Sequence, residues 1–192
     1  MKIDTEFIEK KIEEILEKGM GLKDWKNNVH LKETPKRVAK VYSELYSGYN
    51  DNLEKYFKVF NFHKTDKKKQ IITIGPIKVY SMCSHHMLPF NMNIFIGYIP
   101  DKKIIGISKL VRLSKSICRK LQVQENITKE ILNIINEKLS PKGVIVLINN
   151  STHTCMSMRG VEMSSNVSTR SVTGLFEEDI FEDKFLKIIN QK

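Results

Sequence analysis

The sequence predicts an α+β domain with a helical arm at its N-terminal end. Three observations carry that reading. Apolar residues recur at helical spacing in the first quarter, the texture changes to β-branched and aromatic runs from Ile71, and the remainder orders as two strands, two helices, two strands and a helix. A chain of 192 residues is long enough for one domain with a real core, and 41% hydrophobic with 28% charged residues is the composition of a globular protein, neither disordered nor fibrous.

Each element has its own signal. In residues 4–18, Phe7, Ile8, Ile12, Ile15 and Leu16 form one apolar stripe that ends near Gly19 and Gly21. A second helix starts at Thr34-Pro35, with Thr34 as the expected cap and Pro35 in the first turn, and carries Val38, Val41, Tyr42 and Leu45 on one face to about Gly48. A short apolar-periodic piece over residues 53–60 leads to a basic loop containing Lys67 to Lys69. Residues 71–81 and 91–99 read as strands, with Pro89 in the turn between them. Ser108 is the expected cap of a helix reaching about Leu121, and a further helix fits residues 128–139 before Pro141 and Gly143. Residues 144–148 and 152–161 read as two more strands separated by Asn149-Asn150, and residues 179–189 as the last helix.

Composition narrows the function classes. No apolar run approaches the roughly 20 residues of a membrane-spanning helix. The first 18 residues alternate acids and bases, unlike a signal or transit peptide, so the cytoplasm is the expected location. The net charge of +10 comes from 27 Lys and five Arg against 22 acids. The lysines are scattered and lack interleaved aromatics, which argues against a nucleic-acid surface and for solvated side chains. The arginines inform more, because a planar five-donor fork suits an oxyanion. Three cysteines do not make a disulfide scaffold, so metal binding or catalysis is the expected use.

The chemistry concentrates in a few places. Cys83-Ser84-His85-His86 places a Cys and a His three apart on a tight turn, the usual first half of a zinc site. His153-Thr154-Cys155 supplies a second half: on a strand, positions i and i+2 share a face. Cys83, His86 and Cys155 are therefore the expected metal ligands, leaving a fourth position open, as in catalytic sites. Cys118 reads as a small buried hydrophobe, and His30 and His63 as surface residues. His85 and His153 each suit a core or metal-supporting role taken singly; together, beside a metal, they point to acid–base work. Ser108, Lys109 and Arg112 open a helix, where free N–H groups and cations favour an anion such as phosphate. Arg159, four residues past Cys155, shares the metal-facing side if that strand stays regular. Arg37 and Lys40 lie on the early helix, and for Lys40 alone a solvated charge is the simpler reading. Gln124-Glu125 falls between the two middle helices; a carboxylate there can accept two parallel N–H bonds, as the edge of guanine offers, although by itself it resembles any surface Glu.

Taken together, these segments resemble the GTP cyclohydrolase I family. The resemblance runs in order through Thr34-Pro35-x-Arg37-Val38-Ala39, Cys83-x-His85-His86, Gly97-Tyr98-Ile99-Pro100, Gly106-x-Ser108-Lys109-x-x-Arg112, Gln122-Val123-Gln124-Glu125, His153-x-Cys155 through Arg159-Gly160, and Gly174-Leu175-Phe176. It implies a tunnelling fold: a four-stranded antiparallel sheet with two helices between the strand pairs, residues 1–66 forming the helical arm and 67–192 the catalytic region of one structural unit. It further implies a homodecamer of two pentamers with active sites between subunits, so that Arg37 or Lys40 of the arm serves a neighbour. By the same resemblance, Cys83, His86 and Cys155 hold Zn2+, and His85 and His153 are catalytic. Gln124 and Glu125 read guanine, while Ser108, Lys109, Arg112, Arg159, Arg37 and Lys40 bind the rest of GTP, chiefly its triphosphate. The implied reaction converts GTP to 7,8-dihydroneopterin triphosphate and formate, the first step of pterin and folate biosynthesis, with no nucleic-acid or membrane partner. Two departures stand out. Ser84 occupies a position where the family usually has Glu, which removes a carboxylate beside the metal, and Asn91-Met92-Asn93 lacks the usual glycine after Pro-Phe. The Ser84 change keeps a GTP-binding, catalytically weakened relative as the alternative.

Overall fold

The computed structural model describes residues 3–62 and 70–191, so His63 and the Lys67–Lys69 run lie outside the described residues. The chain divides into two compact units, residues 1–51 and 52–192. In the first, α1 (Thr5–Glu14) is capped by Asp4, whose carboxylate accepts from Phe7 N–H at 2.9 Å, and runs into a π-helical turn over Ile15–Gly19. It packs against α2 (Thr34–Leu45). Thr34 is not the cap expected from sequence: Glu33 holds that position without a side-chain bond, and the Thr34 hydroxyl instead reaches the His30 carbonyl at 3.5 Å. The second helix stops at Leu45, followed by a 3-10 turn over Ser47–Asn50.

The second unit is an α+β domain. Its strands are β1 (Val59–Asn61), β2 (Ile72–Cys83), β3 (Pro89–Ile99), β4 (Lys103–Ile105), β5 (Leu121–Gln122), β6 (Gly143–His153) and β7 (Val167–Gly174). The main sheet has the order β5-β2-β3-β6-β7. Its four long strands are antiparallel neighbours, as the resemblance implies, and the two-residue β5 adds a parallel edge that sequence did not suggest. A separate antiparallel pair joins β1 to β4. Between the strand pairs lie α3 (Ile107–Cys118) and α4 (Gln124–Leu139); α5 (Thr154–Ser157) and α6 (Asp179–Ile189) follow β6 and β7.

The central strand β3 is buried on both faces, which explains its nearly continuous apolar run. Ile94, Ile96 and Tyr98 join the core beneath α3 and α4, together with Val144 and Val146 of β6. Phe95 and Ile99, of the opposite parity, join Ile145, Phe176 and Phe185 on the other side. Gly97 lies tight against this second layer: a Cβ there would lie 2.7 Å from Phe185 and 2.8 Å from Ile145. Gly97→Ala is therefore expected to destabilise the fold by about 1–3 kcal/mol through overpacking, read as a lower midpoint in denaturant titration.

Three expectations are corrected. The helix expected over residues 128–139 begins at Gln124, because Val123 is already the extended capping residue, so Gln124 and Glu125 occupy a helical first turn and not a linker. Ser108 is likewise inside the helix it was expected to cap, since Gly106 precedes the first turn. Finally, residues 144–153 are one strand. Asn149-Asn150 does not end it but forms a bulge: two steps along β3 (Asn93 to Asn91) and two along β7 (Thr169 to Val167) are each matched by three along β6, and Asn150 takes a left-handed φ of 49°. The strand partner expected at 152–161 is instead β7, whose Ser/Thr-rich edge sequence hides its alternation.

Candidate active site

The turn after β2 is held at both ends. Cys83 N–H donates to the Leu88 carbonyl and Met87 N–H to the Cys83 carbonyl, each at 2.8 Å, while Ser84 N–H donates to the Gln122 carbonyl of β5 at 3.0 Å. Cys83 is thereby buried at the strand end, while Ser84, His85 and His86 are exposed on the turn. Opposite, β6 ends at His153 and the chain coils into the four-residue α5. Thr154 Oγ1 donates to the Pro89 carbonyl at 2.5 Å, tying that coil to the start of β3.

Through these two anchors Cys83, His86 and Cys155 come together, with their ligating atoms all within 4.8 Å of one another. The grouping matches the expectation, but its reason does not: Cys155 reaches the cluster from a helical turn, not by strand alternation with His153. The donor set, two thiols and an imidazole, suits a borderline-soft cation such as zinc. Burial, then the neighbouring Cys83 thiol, pushes the Cys155 pKa up, with Arg159 opposing. The Cys155 thiol therefore ionises reluctantly without a cation beside it. Arg159 also leaves the expected strand. It follows α5 on an exposed segment, and its Nη1 donates to His86 Nε2 at 2.9 Å. His85 Nδ1 is 3.9 Å from Cys83 Sγ.

His153 occupies a second group beside the first. Its ring stacks on Phe90, the residue opposite it in β3, with centroids 4.5 Å apart and planes 8° from parallel. Its Nε2 is 3.0 Å from Gln124 Oε1 and 3.2 Å from Ser151 Oγ. Burial lowers the pKa of His153, and the Glu125 carboxylate acts in the opposite direction. Gln124 is 2% exposed, with its amide engaged by His153, Val167 and Thr169, whereas Glu125 is exposed in the first turn of α4.

Ser108, Lys109 and Arg112 lie in the first turns of α3; Ser108 and Arg112 are exposed, and Lys109 Nζ donates to the Lys55 carbonyl at 3.4 Å. Arg37 and Lys40 are exposed on α2, in the other unit. Cys118 is the buried bystander expected: it ends α3 at 1% exposure, and burial pushes its thiol up to about 12. Alkylation of the native protein at neutral pH is expected to leave Cys118 unmodified, as peptide mass analysis would show. Sequence reasoning missed Phe90, Ser151, Thr128 and Thr169. Thr128 had a signal, lying one helical turn after Gln124; the other three depend on strand register.

The family profile described as GTP cyclohydrolase I matches residues 8–190. The chain belongs to the GTP cyclohydrolase I family. It is 39% identical over 191 residues to GTP cyclohydrolase 1 of Aquifex aeolicus, covering 98% of each chain. With the GTP cyclohydrolase 1 of Wolinella succinogenes it shares 47% identity over 151 residues, 78% of this chain and 79% of that one. The Rickettsia bellii relative of the same name is 40% identical over 168 residues, 86% of each. Among solved structures, an apo archaeosine synthase QueF-Like aligns at TM-score 0.43 and 14% identity, covering 55% of this chain and 96% of its own. As a member of the GTP cyclohydrolase I family, the chain is an enzyme with a Cys/His group able to hold a metal. No helix among its described residues is long and apolar enough to cross a membrane.

Proposed function

We propose that this chain converts GTP to 7,8-dihydroneopterin triphosphate and formate with a zinc ion held by Cys83, His86 and Cys155, the entry step to pterins and folates in the cytoplasm. The observation that carries the reading is the convergence of those three side chains from two separately anchored turns. Bound there, zinc acidifies water toward neutrality, which is the chemistry it supplies for hydrolysis of the purine.

The protein's own groups do the rest. His153, half-buried and held near neutrality in its uncharged form, exchanges protons with the purine ring as it opens. Glu125, exposed at the start of α4, accepts the paired N–H groups of the guanine edge. Gln124, whose amide is taken up inside the protein, enters through His153. Ser108, Lys109, Arg112 and Arg159 carry the donors and positive charge that a triphosphate needs. Arg159, whose Nη1 donates to His86 Nε2, stands beside the ligand group and so brings a phosphate-binding charge next to it. Arg37 and Lys40 serve a neighbouring copy in a homodecamer of two pentamers, and His85 assists proton transfer next to Cys83.

The test is a turnover assay on full-length protein of measured metal content, scoring formate and, after oxidation, pterin fluorescence. One formate per pterin is expected. GTP binding with neither product would instead identify a catalytically weakened relative, for which Ser84 is the first residue to exchange.

A further inference from the structure

We propose that Thr169 and Thr128 are positioning residues that fix which ring nitrogen of His153 carries its hydrogen. The proposal rests on the reading of His153 as the proton-exchanging group, and it concerns the neutral ring, not its ionisation. An amide offers an acceptor at one end and donors at the other, so what Gln124 presents to His153 depends on which way it is turned. Gln124 Nε2 lies 3.4 Å from the Val167 carbonyl and 3.2 Å from Thr169 Oγ1. A carbonyl only accepts, so the end facing Val167 is the NH2. Thr169 Oγ1 accepts from the same amide, and its own hydrogen goes to Thr128 Oγ1, 2.6 Å away. The Thr128 hydrogen in turn goes to the Gln124 backbone carbonyl at 3.0 Å. In this direction both hydroxyl hydrogens meet an acceptor. In the reverse direction the Thr169 hydrogen would face the amide's own hydrogens.

The closed ring of donors therefore holds Gln124 Oε1 toward His153 Nε2, 3.0 Å away. An amide oxygen cannot donate, so Nε2 must carry the hydrogen. Ser151 Oγ, 3.2 Å from the same nitrogen, then serves as an acceptor. Nδ1 keeps the lone pair and is the atom through which His153 exchanges a proton. Stacking on Phe90 fixes the ring plane but does not distinguish the two nitrogens, which leaves that choice to the threonine relay together with the longer contact to the Val167 carbonyl.

Histidine-15N labelling of the zinc-loaded full-length protein at mildly alkaline pH reads the tautomer directly, with His153 assigned by the signal missing in His153→Asn. Wild type and Thr169→Ser, which keeps the hydroxyl, are expected in the Nε2–H form. Thr169→Val keeps the shape and removes the relay; its tautomer ratio is expected to move toward Nδ1–H by about two- to tenfold, the equivalent of one ordinary hydrogen bond. kcat for GTP should fall by a similar factor with KM unchanged, and Thr169→Ser should restore it. If Thr169→Val does not fold, Thr128→Val tests the next link with the same expectation. An Nδ1–H ring in wild type, or an unchanged ratio in the valine variants, overturns the proposal. A tautomer shift in samples that never release formate, wild type included, upholds the relay and overturns the catalytic reading instead.

Discussion

Cys155→Ser is expected to strip the protein of its metal and, with it, of GTP turnover. Cys83, His86 and Cys155 supply the three convergent ligand atoms, and a serine hydroxyl at neutral pH does not ionise as a thiol does when a cation is present. Loss of a ligand should exceed the roughly 10–100-fold affinity cost of losing a supporting hydrogen bond around a metal. The measurement is metal content after dialysis against buffer, paired with formate release. Cys118→Ala is the matched control: that thiol is buried at the end of α3 and is not among the three grouped ligands, so its removal should leave metal content unchanged. Stoichiometric zinc and full turnover in Cys155→Ser would remove the proposed metal centre.

His153→Ala is expected to separate metal binding from chemistry. The ring is not among the three ligands, so zinc should be retained while kcat falls by about 10²–10⁴-fold, the usual contribution of a positioned acid or base. Its pKa lies below the ordinary imidazole value because burial disfavours the charged ring, so at neutral pH it is a proton acceptor. As pH falls below that lowered value the ring charges and the accepting form is lost, so the rate should decline on the acid side. Metal analysis and a pH–rate profile on the same preparation check both parts. A zinc-replete alanine variant with undiminished kcat would take His153 out of the reaction.

Much of this site was legible in the residues themselves, because its cysteines and histidines are rare types at telling spacings. Cys83 and His86 were readable from a turn, and Cys155 from its closeness to His153, although the strand geometry invoked for the pair gave way to α5. Arg159 shows the cost of that error: expected along a strand, it reaches His86 from an exposed segment. What sequence could not reveal depends on pairings distant in the chain. Thr169 lies 45 residues from Gln124 and Phe90 63 residues from His153, and neither contact has a local signature. The strand that carries Thr169 reads weakly because its alternating residues are Ser, Thr and Arg at a sheet edge. The helices and the central strands were easier, since their burial imposes a period on the apolar residues.

The extra residue at Asn149-Asn150 has a consequence for where chemistry can occur. Before it, Val144, Val146 and Ile148 point toward α3 and α4; in an unbroken strand the even numbers would continue on that side, and Ser151 and His153 would face away from Gln124. One inserted position advances the phase by half a period, so the odd residues now turn toward α4, Ser151 becomes fully buried and His153 meets both Phe90 and Gln124. Deleting Asn150 alone would restore a regular ladder and rotate the imidazole to the opposite surface of the sheet. The irregularity thus acts as a frame shift in space: a locally imperfect strand is what allows an otherwise hydrophobic layer to end in a reactive side chain.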